Sequence, residues 1–434
     1  MLKRILFFLV FFLNSYLTYA DTNSSSQDMS RQLQSLKSQL NKLEIRLASS
    51  ENFSNTSTST EAKTNKPIIT PKNKKKSSTQ IIASTENVSS PVNYIPRYGW
   101  YSTDISLLLV GGASAGLSKP SGNSGSFNIL DFNPILLFSY KDLLFLRSSV
   151  DFSLDDHGNT SVSLDYSNLN LFLNDYAVFA VGKFDSSIGY FTQNLSPAWI
   201  NRMPDAPVGF DADQAAPQAE VGIHLQGAFP VLSDKRINYI LFMANGNQAL
   251  VNTTTSLIDH IGSDGYTNNY GNYMYGGRLG FLPIPKLEIG ISASRGKIAL
   301  FNLADGTTLL QNSRVYSAFG ADFSYKLDDW DLRAEYIQQL ISSETGSIVP
   351  QGQKWKAWYG QIAYWIPRTN WEPVLRYGKF TAPVASNDQR QWAFGLDYWF
   401  APSVVIQASY ELNKGQENSS TDDNQFLIQL AFGF

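Results

Sequence analysis

The last ten residues, QFLIQLAFGF (425–434), alternate between large apolar side chains and smaller or polar ones. Phe426, Ile428, Leu430, Phe432 and Phe434 make up the apolar set. Successive side chains of a β-strand point to opposite faces, so a period of two predicts a strand with one apolar face. A strand of about ten residues spans a bilayer when it is tilted. The stretch therefore predicts a membrane-spanning β-strand.

The same alternation recurs through the preceding part of the chain. Counted backwards from the C-terminus, the predicted strands are 424–434, 403–413, 390–400, 371–381, 354–366, 329–342, 314–326, 286–301, 273–282, 235–245, 218–229, 175–185, 160–173, 142–155, 128–140 and 103–117. Their connections alternate between short and long, as periplasmic turns and external loops do in outer-membrane barrels. The predicted fold class is an all-β transmembrane barrel of about 16 antiparallel strands, which occupies residues 97–434.

The tryptophans also fit a membrane barrel. Aromatic side chains collect at the two membrane interfaces, and eight of the nine tryptophans fall near predicted strand ends. The periplasmic group is Trp100, Trp330, Trp365, Trp371 and Trp399, and the external group is Trp355, Trp358 and Trp392. These residues predict two aromatic girdles.

Composition excludes several kinds of protein. Of the 434 residues, 13% are aromatic and 16% charged, and there are three histidines and no cysteine. The absence of cysteine excludes disulfides, thiolate metal sites and a cysteine nucleophile. Residues 112–116 match the G-x-S-x-G pattern of hydrolases, but they lie within a predicted strand that no helix follows. We expect no enzyme, no cofactor, no metal site and no nucleic-acid partner.

Three segments precede the predicted barrel. Residues 1–20 combine a basic start, nine apolar residues and small residues before a cleavage point, which predicts a signal peptide. Residues 21–48 carry leucines at heptad spacing, which predicts a short periplasmic α-helical coiled coil or an isolated amphipathic helix. Residues 49–96 are rich in Ser, Thr and Lys and predict a disordered, flexible linker. Its lysines at 72–76 could contact an anionic polymer such as peptidoglycan, but a solvated charge run is the favoured interpretation.

The longest connection, 186–217, follows the fifth predicted strand, and structureless loops of this length usually have a function. It contains Pro197 to Arg202 and then Met203-Pro204-Asp205, and Gly182-Lys183-Phe184 precedes it. We take the charged residues of this connection, its tryptophan and the lysine just before it as candidates for a pore constriction. They are Lys183, Trp199, Arg202, Asp205, Asp211 and Asp213.

This arrangement resembles the sixteen-stranded outer-membrane porins. The resemblance implies that the loop after strand five folds into the lumen, that the chain forms a homotrimer in outer-membrane lipid, and that its N-terminal segment is periplasmic. It also implies that Phe434 is read by the barrel-assembly machinery. The loop motif is similar to that of phosphate-selective-type porins, and the coiled coil to that of sugar-specific porins. A third resemblance is to barrels that support siderophore and ferrous-iron uptake in intracellular pathogens.

Charge favours cations over phosphate. From residue 97 onward there are 22 basic and 31 acidic residues, against 12 and 6 in the first 96, and acidic rings favour cations. By parity, the lumen-facing candidates are Glu220, His224, Arg314, Asp322, Arg333, Glu335, Arg376, Asp397 and Glu411. Any one of them could instead belong to a barrel-stabilising ion pair, and for most of them that is the favoured interpretation. The sequence predicts a channel for small hydrophilic solutes. An uptake receptor for iron or a siderophore and a structural or adhesive barrel remain the alternatives.

Overall fold

The computed structural model describes residues 98–101, 104–122, 124–154, 158–232, 235–262, 265, 270–417 and 419–434. The predicted signal peptide, coiled coil and linker lie outside these residues. Among the residues described, no helix is long and apolar enough to cross a membrane.

Nineteen strands make up the described sheet. They are β1 Tyr98–Tyr101, β2 Ile105–Pro120, β3 Ser126–Tyr140, β4 Leu144–Leu154, β5 Thr160–Asn174, β6 Ala177–Asp185, β7 Ala219–Leu232, β8 Lys235–Asn245, β9 Gln248–Asn252, β10 Leu257–Gly262, β11 Tyr273–Ile284, β12 Leu287–Asn302, β13 Leu309–Leu327, β14 Trp330–Ile341, β15 Gln353–Tyr364, β16 Trp371–Thr381, β17 Gln389–Ala401, β18 Val404–Lys414 and β19 Gln425–Gly433. One α-helical turn, α1 Phe191–Leu195, and two 3₁₀ turns, Ala385–Asn387 and Ser420–Asp422, lie in connections.

Sixteen of these strands, β2 to β8 and β11 to β19, pair antiparallel with their neighbours and close into a barrel. The closing pair joins β19 to β2, from Gln425 opposite Pro120 to Gly433 opposite Gly112. Beyond it, the backbone N–H groups of Phe434 and Gly111 donate to each other's carbonyl oxygens. The short strand β1 pairs with the first half of β2. The predicted sixteen-stranded antiparallel barrel is confirmed.

The two faces of the wall differ as the alternation predicts. In β19, Phe426 and Leu430 are exposed, whereas Gln429 and Ala431 are buried. Exposed apolar side chains recur around the outside, and buried polar and charged side chains face inward. We call the side with the exposed apolar residues the outer face. Its apolar band is what a wall facing lipid requires.

The tryptophan prediction is only partly correct. Trp330, Trp358, Trp371 and Trp392 are exposed on the outer face. Trp355, however, is fully buried on the inner face, and Trp399 donates an inward hydrogen bond to Glu372. The Trp365 ring lies 6.3 Å from that of Trp399. Position along a strand does not decide the face; parity does, and Trp355 and Trp399 have the inward parity.

A hydrophobic cluster fills part of the inside on the side of β11 to β16. The β9–β10 hairpin, inserted between β8 and β11, contributes Ala249, Val251 and Ile258 to it. β9 runs parallel to the end of β12, and the backbone N–H of Ile258 donates to Gln353 of β15. The same cluster contains Phe191 and Phe210 of the 186–218 connection.

Candidate functional site

Residues 186–218, which we call the inward loop, leave the barrel wall after β6. The backbone N–H of Ser186 donates to the carbonyl of Gln218, which closes the base of the loop. Gly189 donates through its N–H to Oγ of Ser292 on β12. The backbone N–H groups of Tyr190 and Phe191 both donate to the carboxylate of Glu335 on β14, at 2.8 and 3.0 Å. The loop thus begins against the inner face of β12 and β14.

A glycine is required where the loop turns along β14. Gly189 has a φ of +95°, and a Cβ there would lie 2.1 Å from Oε1 of Glu335. Any other residue would be strained in this backbone conformation and would displace the carboxylate that holds the next two N–H groups. The contact between Gly189 and Glu335 therefore fixes the start of the loop.

The middle of the loop reaches the wall near the barrel closure. Trp199 lies against Gly112 of β2 and Gly433 of β19, where added Cβ atoms would approach its ring to 2.2 and 2.7 Å. Gln407 of β18 donates to the carbonyl oxygen of Asn201 at 2.7 Å. Glycine in a strand often marks the close approach of another group. Here the two wall glycines provide the space for an indole ring.

Arg202 anchors the loop by charge. Its Nε donates to Oε1 of Glu372 on β16 at 2.8 Å, and its Nη2 lies 3.4 Å from Oδ2 of Asp331 on β14. Desolvation alone would lower the pKa of the guanidinium, but Glu372 and Asp331 outweigh it and raise the pKa. Arg202 therefore stays charged, and both of its partners are wall carboxylates.

Asp205 is also part of the anchorage. Arg376 of β16 donates to its carboxylate at 2.9 Å and to its carbonyl oxygen at 3.1 Å. Nη2 of Arg376 lies 3.7 Å from Oε1 of Glu411 on β18. Gln391 and Gln425 donate to the other oxygen of Glu411. Arg376 and Glu411 are buried, so this network fixes the loop to the inner face of β16 to β19.

The loop returns along β14 and β15. The Phe210 ring lies 5.0 Å from that of Tyr359 in an edge-to-face contact, and Gln339 donates to the carbonyl of Ala215. Asp211 and Asp213 lie at an exposed bend of the loop. Oδ2 of Asp213 is 3.9 Å from Nε2 of His260 on the β9–β10 hairpin.

The parity candidates on β7 and near the external loops are buried. Ser186 of the loop donates to Glu220 at 2.6 Å, and the His224 ring lies 4.4 Å from that of Phe184. Arg314 is 1% exposed and donates to the carbonyl oxygens of Ser342 and Val349. Its guanidinium thus holds the 342–352 connection.

The remaining predicted residues sit on the wall beside the loop. Asp322 accepts from Nε of Arg278 at 3.0 Å, and Arg333 pairs with Asp331 at 2.7 Å. Asp397 is fully buried, opposite Glu372 on one side and Gln407 on the other. Within the described ranges, no three His, Asp or Glu side chains are arranged to hold a metal ion.

Three carboxylates on the far wall were not among the sequence candidates. Asp131 on β3 accepts from Ser114 at 3.0 Å, Asp151 on β4 accepts from Asn133 at 2.6 Å, and Asp165 on β5 accepts from Ser149 at 3.0 Å. All three are partly exposed, and in the part of the chain that the structure describes none has a cation within ion-pair distance. We call Asp131, Asp151 and Asp165 the acidic wall.

Two cations near the acidic wall, Arg147 and Lys183, have their hydrogen-bond or ion-pair partners outside it. Arg147 of β4 lies 3.4 Å from Asp185 at the end of β6 and 3.9 Å from the centre of the Tyr166 ring. Lys183, a constriction candidate, donates to the carbonyl oxygen of Leu164 at 2.6 Å. The inside of the barrel therefore has one side of buried, paired charges and one side of accessible carboxylates.

Comparison with known proteins identifies the fold. No family profile and no curated protein sequence match the chain. The anion-selective porin from Comamonas acidovorans matches with a TM-score of 0.53 at 10% identity, over 76% of this chain and 100% of that one. Salmonella typhi OmpF, in complex with daunomycin, matches with 0.52 at 14%, over 78% and 100%. The fold is that of the outer-membrane porins.

A third porin-fold match is the trimer form of in-vitro folded OmpT, an outer membrane protein of Vibrio cholerae. It gives a TM-score of 0.50 at 13% identity, over 76% of this chain and 100% of that one. The superpositions establish the shared fold. At identities this low they say nothing of selectivity, which has to be argued from the residues of this chain.

The candidates fall into two groups. The structure brings Arg202, Asp205, Arg376 and Glu411 together in the loop anchorage, whereas Lys183 lies on β6 away from it. Their role in a constriction stays a prediction.

The acidic wall, which the sequence candidates did not include, has a recognisable pattern in the sequence. In Leu130-Asp131-Phe132, Val150-Asp151-Phe152 and Leu164-Asp165-Tyr166, a carboxylate stands between apolar residues in three consecutive strands.

Proposed function

We propose that the chain is an outer-membrane channel through which small hydrophilic solutes diffuse, with a mild preference for cations. The observation that carries this proposal is the unequal pairing of charge inside the barrel. Arg202, Arg278 and Arg376 each lie within ion-pair distance of two carboxylates. The carboxylates of the acidic wall have only neutral hydrogen-bond donors. Water beside this wall would therefore be at negative potential.

We infer that the inward loop forms the constriction. Its polar anchors are on β12, β14, β16 and β18, so its backbone follows one half of the inner wall. The solute path is then left between the loop and the acidic wall on β3 to β5. In a confined space with low-dielectric walls, fixed charges act on ions more strongly than in bulk water.

The acidic wall provides the test. The triple variant Asp131→Asn, Asp151→Asn, Asp165→Asn should lose cation preference, measured as a shift of the reversal potential in a salt gradient. The shift should be larger at low salt, where screening is weaker. A matched control neutralises three exposed carboxylates in connections, Asp328→Asn, Asp329→Asn and Glu417→Gln. Equal reversal potentials for the triple variant and the wild type would refute the proposed path.

We also propose that the chain is a homotrimer. Exposed tryptophans lie on β14 to β17, whereas the outer face of β2 to β5 exposes Leu, Phe and Val side chains such as Leu109, Phe132 and Leu164. Interfacial tryptophan suits lipid contact, so the tryptophan-free side is the better candidate for contact with another protomer. Mass measurement of the unheated protein in detergent should give three chains; a single chain would contradict the proposal.

A further inference from the structure

A row of basic residues crosses the outer face near the external ends of neighbouring strands. Lys379 on β16 lies opposite Arg390 on β17, and Arg390 lies opposite Lys414 on β18. Lys356 on β15 is one register step away, opposite Thr381. Their inward neighbours Gln391 and Ala393 are buried. We call Lys356, Lys379, Arg390 and Lys414 the basic row.

The row places like charges side by side without compensation. Side chains directly opposite on antiparallel strands have Cβ atoms ~5 Å apart, and like charges in such pairs destabilise a sheet. In the part of the chain that the structure describes, no carboxylate lies within ion-pair distance of these four residues. Asp388, two residues before Arg390, accepts a hydrogen bond from the backbone N–H of Ala382, and Glu417, Asp422 and Asp423 are in the connection after β18. The sheet therefore bears a cost that an external anion would remove.

The depth of the row indicates where that anion lies. One step below Lys379 and Arg390 on the outer face are Tyr377 and Trp392, and Trp358 on β15 lies opposite Lys379. The Tyr377 ring centre is 5.4 Å from that of Trp358 and 4.5 Å from that of Trp392. Trp358 and Trp392 are exposed. Such aromatic residues mark the interface at the level of lipid headgroups. The basic row thus lies along the outer edge of this aromatic layer, at the depth of headgroup phosphates.

The opposite ends of the same strands differ. There the outer face carries Tyr364, Trp371, Phe400 and Val404 and no Lys or Arg. The short turns, such as the one between β17 and β18, are at this end, and the long connections are at the end with the basic row. Long connections are external in outer-membrane barrels. The charge asymmetry is therefore directed at the outer leaflet.

We propose that the basic row binds the phosphates of a phosphorylated lipid in the outer leaflet, whose acyl chains cover the aromatic and aliphatic surface below. The row faces lipid rather than the lumen, so a dissolved substrate of the channel would not meet it. Phosphate oxygens accept charge-assisted hydrogen bonds from Lys and Arg, and one such group can serve two neighbouring strands. This site is independent of the channel function.

The test compares binding of lipid A, a diphosphorylated glycolipid, to the refolded full chain in neutral detergent, measured by native mass spectrometry. The variant Lys379→Gln, Arg390→Gln, Lys414→Gln should lose about tenfold or more in affinity. The control Lys235→Gln, Lys286→Gln, Arg368→Gln, which removes three exposed charges near the short turns, should bind like the wild type. The charge-retaining Lys379→Arg, Lys414→Arg variant should also bind.

Three further arms separate the possible sources of binding. Lipid A without its phosphates should bind weakly, and inorganic phosphate should compete no better than another salt of equal ionic strength. In detergent without lipid A, the triple Gln variant should resist heat at least as well as the wild type, because its like-charge repulsion is relieved. Equal lipid A affinity for triple variant and wild type would overturn the proposal. So would equal binding of the dephosphorylated lipid, competition by phosphate alone, or a change in oligomeric state without a change in lipid binding.

Discussion

Arg202 of the inward loop donates a 2.8 Å hydrogen bond to Glu372 on β16, a strand far around the barrel from β6 and β7, between which the loop is inserted. The loop therefore follows the inner wall away from its base, and Arg202 holds its middle there. Asp331 is the second partner of the guanidinium, at 3.4 Å. Because all three groups are largely buried, the loop is an integral part of the barrel interior.

The first prediction is a disulfide between the loop and the wall. A Cβ at Gly378 on β16 would lie 2.8 Å from Cγ1 of Val208, so Val208→Cys with Gly378→Cys brings two Cβ atoms within the ~3.5–4.5 Å of a disulfide. The chain has no other cysteine, so the bond can be measured by mass after alkylation. Oxidation should leave conductance unchanged. Failure to form the bond in the folded barrel would contradict a docked loop.

The second prediction concerns the stability of the anchorage. Arg376→Met leaves the carboxylates of Asp205 and Glu411 without their cation, and breaking a buried ion pair costs about 3–5 kcal/mol. The temperature at which the folded band is lost on unboiled gels should fall. Arg368→Met, at an exposed turn, serves as the control. Restoring neutrality with Arg376→Met, Asp205→Asn and Glu411→Gln should recover part of the loss; a triple variant less stable than the single one would argue against charge as the cause.

The third prediction concerns the Trp199 ring. It lies at the barrel closure against Gly112 and Gly433. Gly112 is on β2, which is adjacent to β3, the first strand of the acidic wall. Trp199→Ala should raise single-channel conductance because it widens the path next to β2 and β3. Trp392→Ala removes an exposed ring from the outer face and should leave conductance unchanged. Identical conductance of the Trp199→Ala and wild-type channels would place the ring outside the solute path.

The alternation of residues predicted the barrel because the sequence of each strand alone shows which side chains lie on its apolar face and which on its polar face. Phe426 could be placed on the outside and Gln429 on the inside without information about neighbouring strands. The partner of Arg202 could not be predicted in this way. Asp205 is three residues from it in sequence, but the partners are Glu372 and Asp331 on the wall. This pairing depends on the tertiary path of the loop, and local sequence patterns do not determine that path.

The acidic wall could be predicted in part from the sequence. Asp131 and Asp151 have the inward parity of their strands, so alternation alone places them inside. Asp165 sits where the pairing of β4 and β5 shifts register, between Val150 and Ser149, and a register shift changes which face a residue meets. Its position beside Ser149 therefore required the structure.

Single-channel recording of the refolded full chain in a salt gradient tests whether the barrel is a cation-preferring channel. We expect open, ohmic current steps with a cation-selective reversal potential. This potential should approach zero as added salt screens the acidic wall. Steps with anion selectivity would contradict the proposed path along Asp131, Asp151 and Asp165. A folded barrel that passes no current would contradict the channel itself and favour an uptake receptor.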